Sequence, residues 1–351
     1  MKRQFRDRDY IETVEGLLFT VVGNLHPKDR VLSYLKNLPN PLGKWRGSRS
    51  RYSRPMRYYS ATNVMKTIKF LRRTYPQYVF RSETLKLSFS AVPVQRILEH
   101  YLPEQHLAKL RAIGHLDALQ RKTIELTSTI SEASGVSVKH FGVTGSILVN
   151  IHNVKFSDID LVVYGRSNIP RVKDAVLRLY GTDRGNVRKL QGTYLRTWCK
   201  QQMKTHPLTM KEMRELYSKK WNRGLFKGTE YSIHPVKAEK DTKERYGDEL
   251  YLPEGIIEAT ARVINSENSY FLPAIYIVDH VNSPQRVFDN VREIVSFESL
   301  YADIASRHEI VKVRGLLESV LDKSGEVTHQ RIVVGSHENA QSEFMKVVCA
   351  K

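Results

Sequence analysis

Cysteine is nearly absent from this chain of 351 residues, which contains two, Cys199 and Cys349. They form neither a CxxC pair nor a disulfide framework, which is typical of proteins from a reducing compartment. The sequence also lacks the run of about eighteen apolar residues that a membrane-spanning helix requires. Its charged start, MKRQFRDRDY, contains no apolar segment of the secretory kind. These absences exclude a disulfide-stapled scaffold and predict a cytoplasmic protein that does not enter a membrane.

Acidic residues are also scarce relative to basic ones. The chain has 37 Asp and Glu against 56 Lys and Arg, which leaves a formal net charge of +19 at pH 7. Such an excess favours polyanionic partners, of which nucleic acid is a common one. A basic composition that serves solubility alone is the alternative. The length favours two or three domains, and the hydrophobic share of 41% is sufficient for packed cores.

The chain divides into four predicted regions. They are an N-terminal β-containing module with a basic arm at 1–62, a helical region at 63–131, an α/β core at 132–240 and a β-rich C-terminal domain at 255–351. Apolar residues recur at helical spacing from Asn63 to Arg73 and from Val94 to Ser131, which predicts amphipathic helices. Residues 41–60 are rich in Gly, Ser, Pro and Arg, which predicts a loop or mobile arm.

The segment GVTGSILVNIHNVKFSDIDLVVYG, residues 142–165, combines features that chemistry on a phosphate needs. Successive side chains of a strand point to opposite faces, so a strand at DIDLVVYG places Asp158 and Asp160 on one face. Their like charges repel, and each raises the proton affinity of the other unless a divalent cation lies between them. Oxygen ligands suit Mg²⁺ or Mn²⁺. The sequence therefore predicts a metal site at this pair.

A glycine-serine turn precedes a short predicted helix in the same segment. The free N–H groups and the positive end of a helix attract phosphate oxygens. Gly145 permits the backbone to approach a phosphate closely, and the hydroxyl of Ser146 can add a hydrogen bond. Cations nearby in the sequence are candidates for binding a triphosphate: Lys155, Arg166 and Arg171.

These residues resemble the signature of the DNA polymerase β-like nucleotidyltransferase superfamily. That signature has a hydrophobic residue, Gly, then Gly or Ser, a spacer, and finally Asp-hydrophobic-Asp/Glu-hydrophobic. Here Gly145-Ser146 is followed by residues 147–157 and then by DIDL at 158–161. The firm resemblance covers residues 136–236, and most of the chain is similar to a largely archaeal group of uncharacterised nucleotidyltransferases. The alternative is an ordinary buried strand that ends in two aspartates.

The resemblance implies an α+β fold with an α/β-like core, in which a short mixed sheet with flanking helices holds the site. It implies two-metal-ion transfer of NMP from an NTP to a hydroxyl acceptor. Asp158 and Asp160 would bind Mg²⁺ or Mn²⁺, and Gly145 and Ser146 would bind the nucleotide. The basic composition predicts that the acceptor is nucleic acid, RNA or DNA, with an RNA end favoured. Nucleotidylation of a protein or small molecule stays open, as does the oligomeric state.

The chain departs from the superfamily where a third carboxylate is expected on a later strand. Its counterpart is YSIHP at residues 231–235, which has Ser232 at the position of the acid. Glu230, Ser232 and His234 would share one strand face, so Glu230 is predicted as the replacement ligand and general base, with His234 as the alternative base. The departure also leaves open a catalytically weak or inactive protein that binds nucleic acid or regulates another factor.

A basic arm lies between residues 44 and 57, interleaved with Trp45 and Tyr52. Arginine contacts phosphate and stacks on bases, and aromatic rings stack on bases of any identity. The arginines predicted to bind nucleic acid are Arg46, Arg49, Arg51, Arg54 and Arg57. A solvated loop whose charge only aids solubility is the alternative.

The C-terminal region contains short apolar or alternating runs, which predict a small antiparallel sheet or barrel. VVGS at residues 333–336 repeats the hydrophobic-Gly-Ser string, but no DxD follows it. We therefore do not predict a second site there. The remaining histidines show no metal-ligand spacing such as HExxH, which favours structural or surface positions for them.

Overall fold

The computed structural model describes residues 3–55, 61–182, 186–284, 288, 290–336 and 342–348. Three sheets follow one another along the chain, and helices cluster around the middle one. In the described part of the chain, no helix has the length and apolar character needed to cross a membrane.

An antiparallel sheet forms from the N-terminal strands. In chain order its elements and the helix beside it are β1 (Tyr10–Thr13), β2 (Leu18–Val21), β3 (Arg30–Pro39), β4 (Trp45–Arg46), β5 (Arg51–Ser53), α1 (Ala61–Thr74), β6 (Val79–Arg81), β7 (Ser88–Pro93) and β8 (Ile97–Tyr101). The strand order is β4-β5-β3-β2-β1-β8, with β7 also on β3 and β6 on β7. Ile11, Phe19 and Leu35 pack against Leu71 of α1 in the core of this unit.

Two predictions for this region are wrong. The arm at 41–60 contains the hairpin β4-β5, in which Trp45 pairs with Tyr52 across the strands, because aromatic pairs favour a pleated surface. The helix predicted from Val94 is replaced at residues 97–101 by β8, which pairs with β1. Apolar residues at three-residue spacing fit a helix, but pairing with an available strand edge satisfies the backbone instead.

The middle sheet is short and mixed, as predicted. Its elements and the surrounding helices are α2 (Pro103–Ala112), α3 (Ala118–Ser134), β9 (Phe141–Thr144), α4 (Gly145–Leu148), β10 (Ile159–Tyr164), α5 (Asn168–Tyr180), β11 (Val187–Arg188), α6 (Gly192–Gln202), α7 (Met210–Lys219), β12 (Arg223–Phe226) and β13 (Thr229–Val236). The strand order is β11-β12-β13-β10-β9, and β10 runs parallel to β13 while the other pairs are antiparallel.

Alternation along β10 explains how this sheet is held. Ile159, Leu161 and Val163 are buried in a core shared with α3 and α5, whereas Val162 packs with Val236 on the other face. An Asp117 capping box starts α3, and Gly135 in the left-handed conformation ends it. Asp160, on the second face at the start of β10, lies outside the core formed with α3 and α5.

The C-terminal strands form a barrel. They are β14 (Leu250–Asn265), β15 (Ala274–Asn282), β16 (Val291–Ser296), β17 (Ile310–Leu321), β18 (Val327–Val334) and β19 (Phe344–Val348). Neighbours run β14-β15-β16-β18-β17, and pairing of β14 with β17 closes the ring, with β19 added on β17. Closure removes the exposed edges of an open sheet. The predicted β-rich C-terminal region is confirmed, although β16 and β18 pair in parallel.

Candidate functional site

A row of polar side chains crosses the middle sheet. Asp160 pairs with Thr144 of β9 on one side and with Ser232 of β13 on the other, and Ser232 pairs with Arg223 of β12. Directly opposed residues of neighbouring strands point to the same face. Thr144, Asp160, Ser232 and Arg223 therefore lie side by side. Asp158, the residue immediately before β10, is near enough for its charge to interact with those of Asp160 and Arg223.

The two aspartates influence each other strongly. The negative charge of Asp160, together with burial, raises the pKa of the Asp158 carboxyl. Burial also acts to raise the pKa of Asp160, but the hydrogen bond and charge of His234 and the hydrogen bond from Ser232 hold it below its usual range. The side chain of Asp160 is 23% exposed, so the pair is open to solvent and to small ions.

Gly145 packs directly against Asp160. It has a φ of +70°, and a Cβ at this position would lie 2.5 Å from Oδ2 of Asp160. A side chain is therefore excluded both by the left-handed backbone and by the carboxylate. The structure brings together the turn and the acids that the sequence suggested as one site, with Ser146 buried at the start of α4.

Ser232, at the position where the superfamily has an acid, is hydrogen-bonded to the first acid instead. Its hydroxyl donates to Oδ1 of Asp160, and Nε2 of His234 lies 2.8 Å from Oγ of Ser232 and 3.5 Å from the same carboxylate oxygen. Burial lowers the pKa of His234 to about 4, so its imidazole is neutral at pH 7. Ser232 and His234 thus orient Asp160 without adding a negative charge.

Glu230 lies beside the aspartates on β13. Ile159 pairs with Tyr231, so extending the register by one residue aligns Glu230 with Asp158. The Glu230 carboxylate is 42% exposed and lies 3.7 Å from Nη1 of Arg223. Glu230 is therefore next to the site, and its charge is balanced by an arginine of the same row.

The three predicted triphosphate-binding residues lie in different places, and Arg171 is on α5, where Nη2 donates to the carbonyl of Gly135. Lys155 is exposed in the turn just before Asp158, where its N–H donates to the side chain of Asn153. Arg166 follows the far end of β10, a strand whose length of six residues corresponds to roughly 20 Å. Its N–H donates to Asp241. The structure does not bring Arg166 to the aspartates.

Several cations lie near the aspartates that the sequence did not assign to this site, although Arg54 is among the arginines predicted to bind nucleic acid. Arg223 lowers the pKa of both aspartates, Arg54 that of Asp158, and Arg8 that of His234. Lys36 interacts with Asp160. Arg8, Lys36 and Arg54 belong to the N-terminal module and are far from the aspartates along the chain. No local motif could have identified them.

The basic arm lies against the segment that leads into Asp158. The Trp45 and Phe156 rings are 6.3 Å apart edge to face, Nζ of Lys44 is 4.1 Å from the Phe156 ring, and the Arg54 guanidinium is 4.3 Å from the Trp45 ring. Arg46, Arg49 and Arg51 are exposed on the same hairpin. Arg57 lies outside the described residues.

The aspartate pair fits one Mg²⁺ or Mn²⁺ ion. A cation between the carboxylates would replace the repulsion that raises the pKa of Asp158. Within the described ranges, no group of three or more His, Cys, Asp or Glu side chains is placed to enclose a metal on its own. Mg²⁺ commonly binds through one or two carboxylates and takes its other ligands from water and substrate phosphate. The donor set is suited to that mode.

Comparison with known proteins identifies similarity over nearly the whole chain. The sequence is 29% identical over 347 residues to the uncharacterized protein MJ1086 of Methanocaldococcus jannaschii, which covers 97% of this chain and 98% of that protein. No family model matches the chain, and no solved structure matches it. The similarity extends through the N-terminal sheet, the middle sheet and the barrel.

Proposed function

We propose that this chain is a metal-dependent nucleotidyltransferase with the fold of the DNA polymerase β-like superfamily. It would transfer NMP from an NTP to a hydroxyl of a nucleic acid. The observation that carries the proposal is the contact of Gly145 with Asp160, whose charge interacts with that of Asp158 just before the strand. The contact supports the proposal because a glycine-serine turn is suited to phosphate and a pair of carboxylates is suited to a cation.

The residues of the site have distinct tasks in this reaction. Asp158 and Asp160 would hold Mg²⁺ or Mn²⁺, which would supply positive charge to the phosphates and favour ionisation of the attacking hydroxyl. The N–H groups at Gly145 and Ser146 bind phosphate oxygens. Ser232 keeps Asp160 in place through its hydrogen bond. Arg223 adds positive charge at the end of the row.

The bond changes follow from this arrangement. The acceptor oxygen forms a bond to the α-phosphorus, the bond between the α-phosphorus and the oxygen that bridges to the β-phosphorus breaks, and pyrophosphate leaves with that electron pair. The hydroxyl proton passes to a base on the face of β13. Glu230, which is partly exposed, and His234, which is neutral at pH 7, are the two groups available there.

Nucleic acid is the proposed acceptor because the basic hairpin β4-β5 lies beside the site. Its exposed arginines and the Trp45 ring offer phosphate contacts and stacking surface next to the segment that carries Phe156. An RNA end, being single-stranded, is the acceptor best suited to such a surface. Binding should weaken as salt concentration rises.

A second function is favoured by one observation. The serine at the third-acid position is hydrogen-bonded to Asp160, so the row carries fewer carboxylates than the superfamily pattern implies. In this alternative the protein binds nucleotide and nucleic acid through the same surfaces but transfers little or nothing, and acts as a regulatory factor.

The test is incorporation of α-labelled NTPs, supplied singly with Mg²⁺, into bulk RNA, DNA or protein. We expect label in RNA with the native chain and a rate about 1000-fold lower with Asp158→Asn, because a metal ligand is lost. Asparagine has the size of aspartate and removes the repulsion, so the variant should fold. Calorimetric binding of NTP with Mg²⁺ but no labelled acceptor would support the regulatory alternative, and neither binding nor labelling would refute both.

A further inference from the structure

The N-terminal sheet packs directly on the turn that begins at Gly145. Tyr10, Leu18 and Tyr52 share a buried cluster with Leu148 and Ile151, the residues that follow the turn. The hydroxyl of Thr144 donates to the carbonyl of Arg8 over 2.7 Å. This sheet therefore forms a wall of the candidate site.

A β-bulge in that wall places Lys36 apart from its neighbours. Phe19 pairs with Leu35, but Leu18 pairs with Asn37, so Lys36 is the extra residue of β3 opposite β2. A bulge redirects a side chain relative to the regular alternation and is common next to functional sites. The bulge thus sets where the Lys36 side chain leaves the backbone of β3.

The charge of Lys36 interacts with the charge of Asp160. Burial lowers the pKa of Lys36, whereas Tyr34, Tyr10 and Asp160 raise it above the ordinary value, so the ammonium stays charged. Its Nζ lies 5.6 Å from the Tyr34 ring centroid. Among the residues that the structure describes, none forms a hydrogen bond or salt bridge with this ammonium. A half-buried cation in that state is best satisfied by an anion that binds from outside.

We propose that Lys36 binds the β- or γ-phosphate of the nucleotide, so that the N-terminal sheet is the second wall of the triphosphate site. The inference rests on the proposed function. Two carboxylates and one divalent cation are neutral together, so the charge of the triphosphate is balanced by a second metal ion, by cationic side chains, or by both. Arg54 and Arg8 lie near the same acids and would complete the positive wall.

The test measures binding rather than transfer. ATP, GTP, CTP and UTP, each with Mg²⁺, and the four matching NMPs are titrated calorimetrically into the native chain and into Lys36→Met. We expect NTP affinity to fall about 10- to 100-fold, the loss of one charge-assisted hydrogen bond, with NMP affinity unchanged. Lys36→Arg should retain most of the affinity. Lys28→Met, at an exposed lysine before β3, is the matched control and should bind like the native chain.

Each outcome separates this inference from the function on which it rests. A native chain that binds no NTP refutes the proposed function and the role of Lys36 together. Equal NTP affinity in the native chain and Lys36→Met refutes the role of Lys36 alone, and so does an equal loss of NTP and NMP binding. Circular dichroism checks the fold, and Lys36→Gln provides the same comparison if the methionine variant does not fold.

Discussion

Two glycine-serine turns end strands in different parts of the molecule, and only one of them has a side-chain anion of its own. Gly145 follows β9 with a φ of +70°, and Gly335 follows β18 with a φ of +93°. In the barrel, the N–H groups of Gly335 and Ser336 donate to Glu343 over 2.7 and 2.8 Å. In the middle sheet, no carboxylate of the described residues accepts from Gly145 or Ser146.

The comparison shows what separates a structural turn from a binding turn. Both expose backbone donors that suit an anion. Glu343, which is 1% exposed, supplies the acceptor from within the fold and links the end of β18 to the start of β19. Gly145 contacts Asp160 instead, whose charge repels that of Asp158, and in our proposal this turn binds phosphate and a cation from solution. The same Gly-Ser sequence therefore stabilises the barrel at Gly335 and, in our proposal, binds a ligand at Gly145.

The largest expected effect is a difference in NTP affinity between the variants Gly145→Ala and Gly335→Ala. A Cβ at Gly145 would lie 2.5 Å from Oδ2 of Asp160, and one at Gly335 would lie 2.9 Å from Cγ of Glu298. Both alanines are strained by about 1–2 kcal/mol through the positive φ. Only Gly145→Ala should lower the affinity for NTP with Mg²⁺, by about 100-fold, because it displaces a metal ligand.

Calorimetric titration and urea unfolding measure the two effects on the same preparations. Gly335→Ala serves as the matched control for backbone strain. Equal NTP affinity in the two variants would show that the turn at Gly145 does not bind nucleotide.

Replacement of Glu343 should affect stability alone. Glu343→Ala leaves the N–H groups of Gly335 and Ser336 and the hydroxyl of Ser336 without their acceptor. We expect the free energy of unfolding to fall by about 3 kcal/mol. The exposed Glu326 of the neighbouring hairpin provides the control, since Glu326→Ala should change stability by less than about 0.5 kcal/mol.

Urea unfolding gives the stabilities, and NTP titration checks that the site is intact. A Glu343→Ala chain with native stability would mean that this turn, like the one at Gly145, needs no internal anion.

The smallest expected effect is the contribution of the aspartate pair to the pH dependence of stability. Because the pKa of Asp158 is raised, the folded chain keeps a proton that the unfolded chain releases. The unfolded state then binds fewer protons, so the free energy of unfolding falls as pH rises from the ordinary aspartate range towards neutrality. The change should be on the order of 1 kcal/mol.

Urea unfolding at several pH values, in the presence of a metal chelator, measures the slope of the unfolding free energy against pH. Asp158→Asn should make this slope smaller. Mg²⁺ should also make it smaller, because it binds the ionised pair. The same slope in the native chain and Asp158→Asn would contradict repulsion between the two carboxylates.

Local sequence patterns were sufficient to predict the aspartates and the turn at Gly145. They were insufficient to predict which cations lie near them. Alternation along one strand was enough to predict that Asp158 and Asp160 share a face. Lys36 could not be found in this way because its position depends on a bulge between two strands. Arg166 is close to the aspartates in sequence but follows the far end of β10, since a strand separates its ends by its full length.

The sequence by itself determined the strand periodicity of β10, the glycine at the turn before α4, and the alternating runs that form the barrel. These features depend on the backbone preferences of neighbouring residues. Only the tertiary structure decided that β8 pairs with β1 rather than continuing a helix, that Ser232 is hydrogen-bonded to Asp160, and that cations of the N-terminal module surround the acids. Such contacts join residues distant along the chain, and no local preference encodes them.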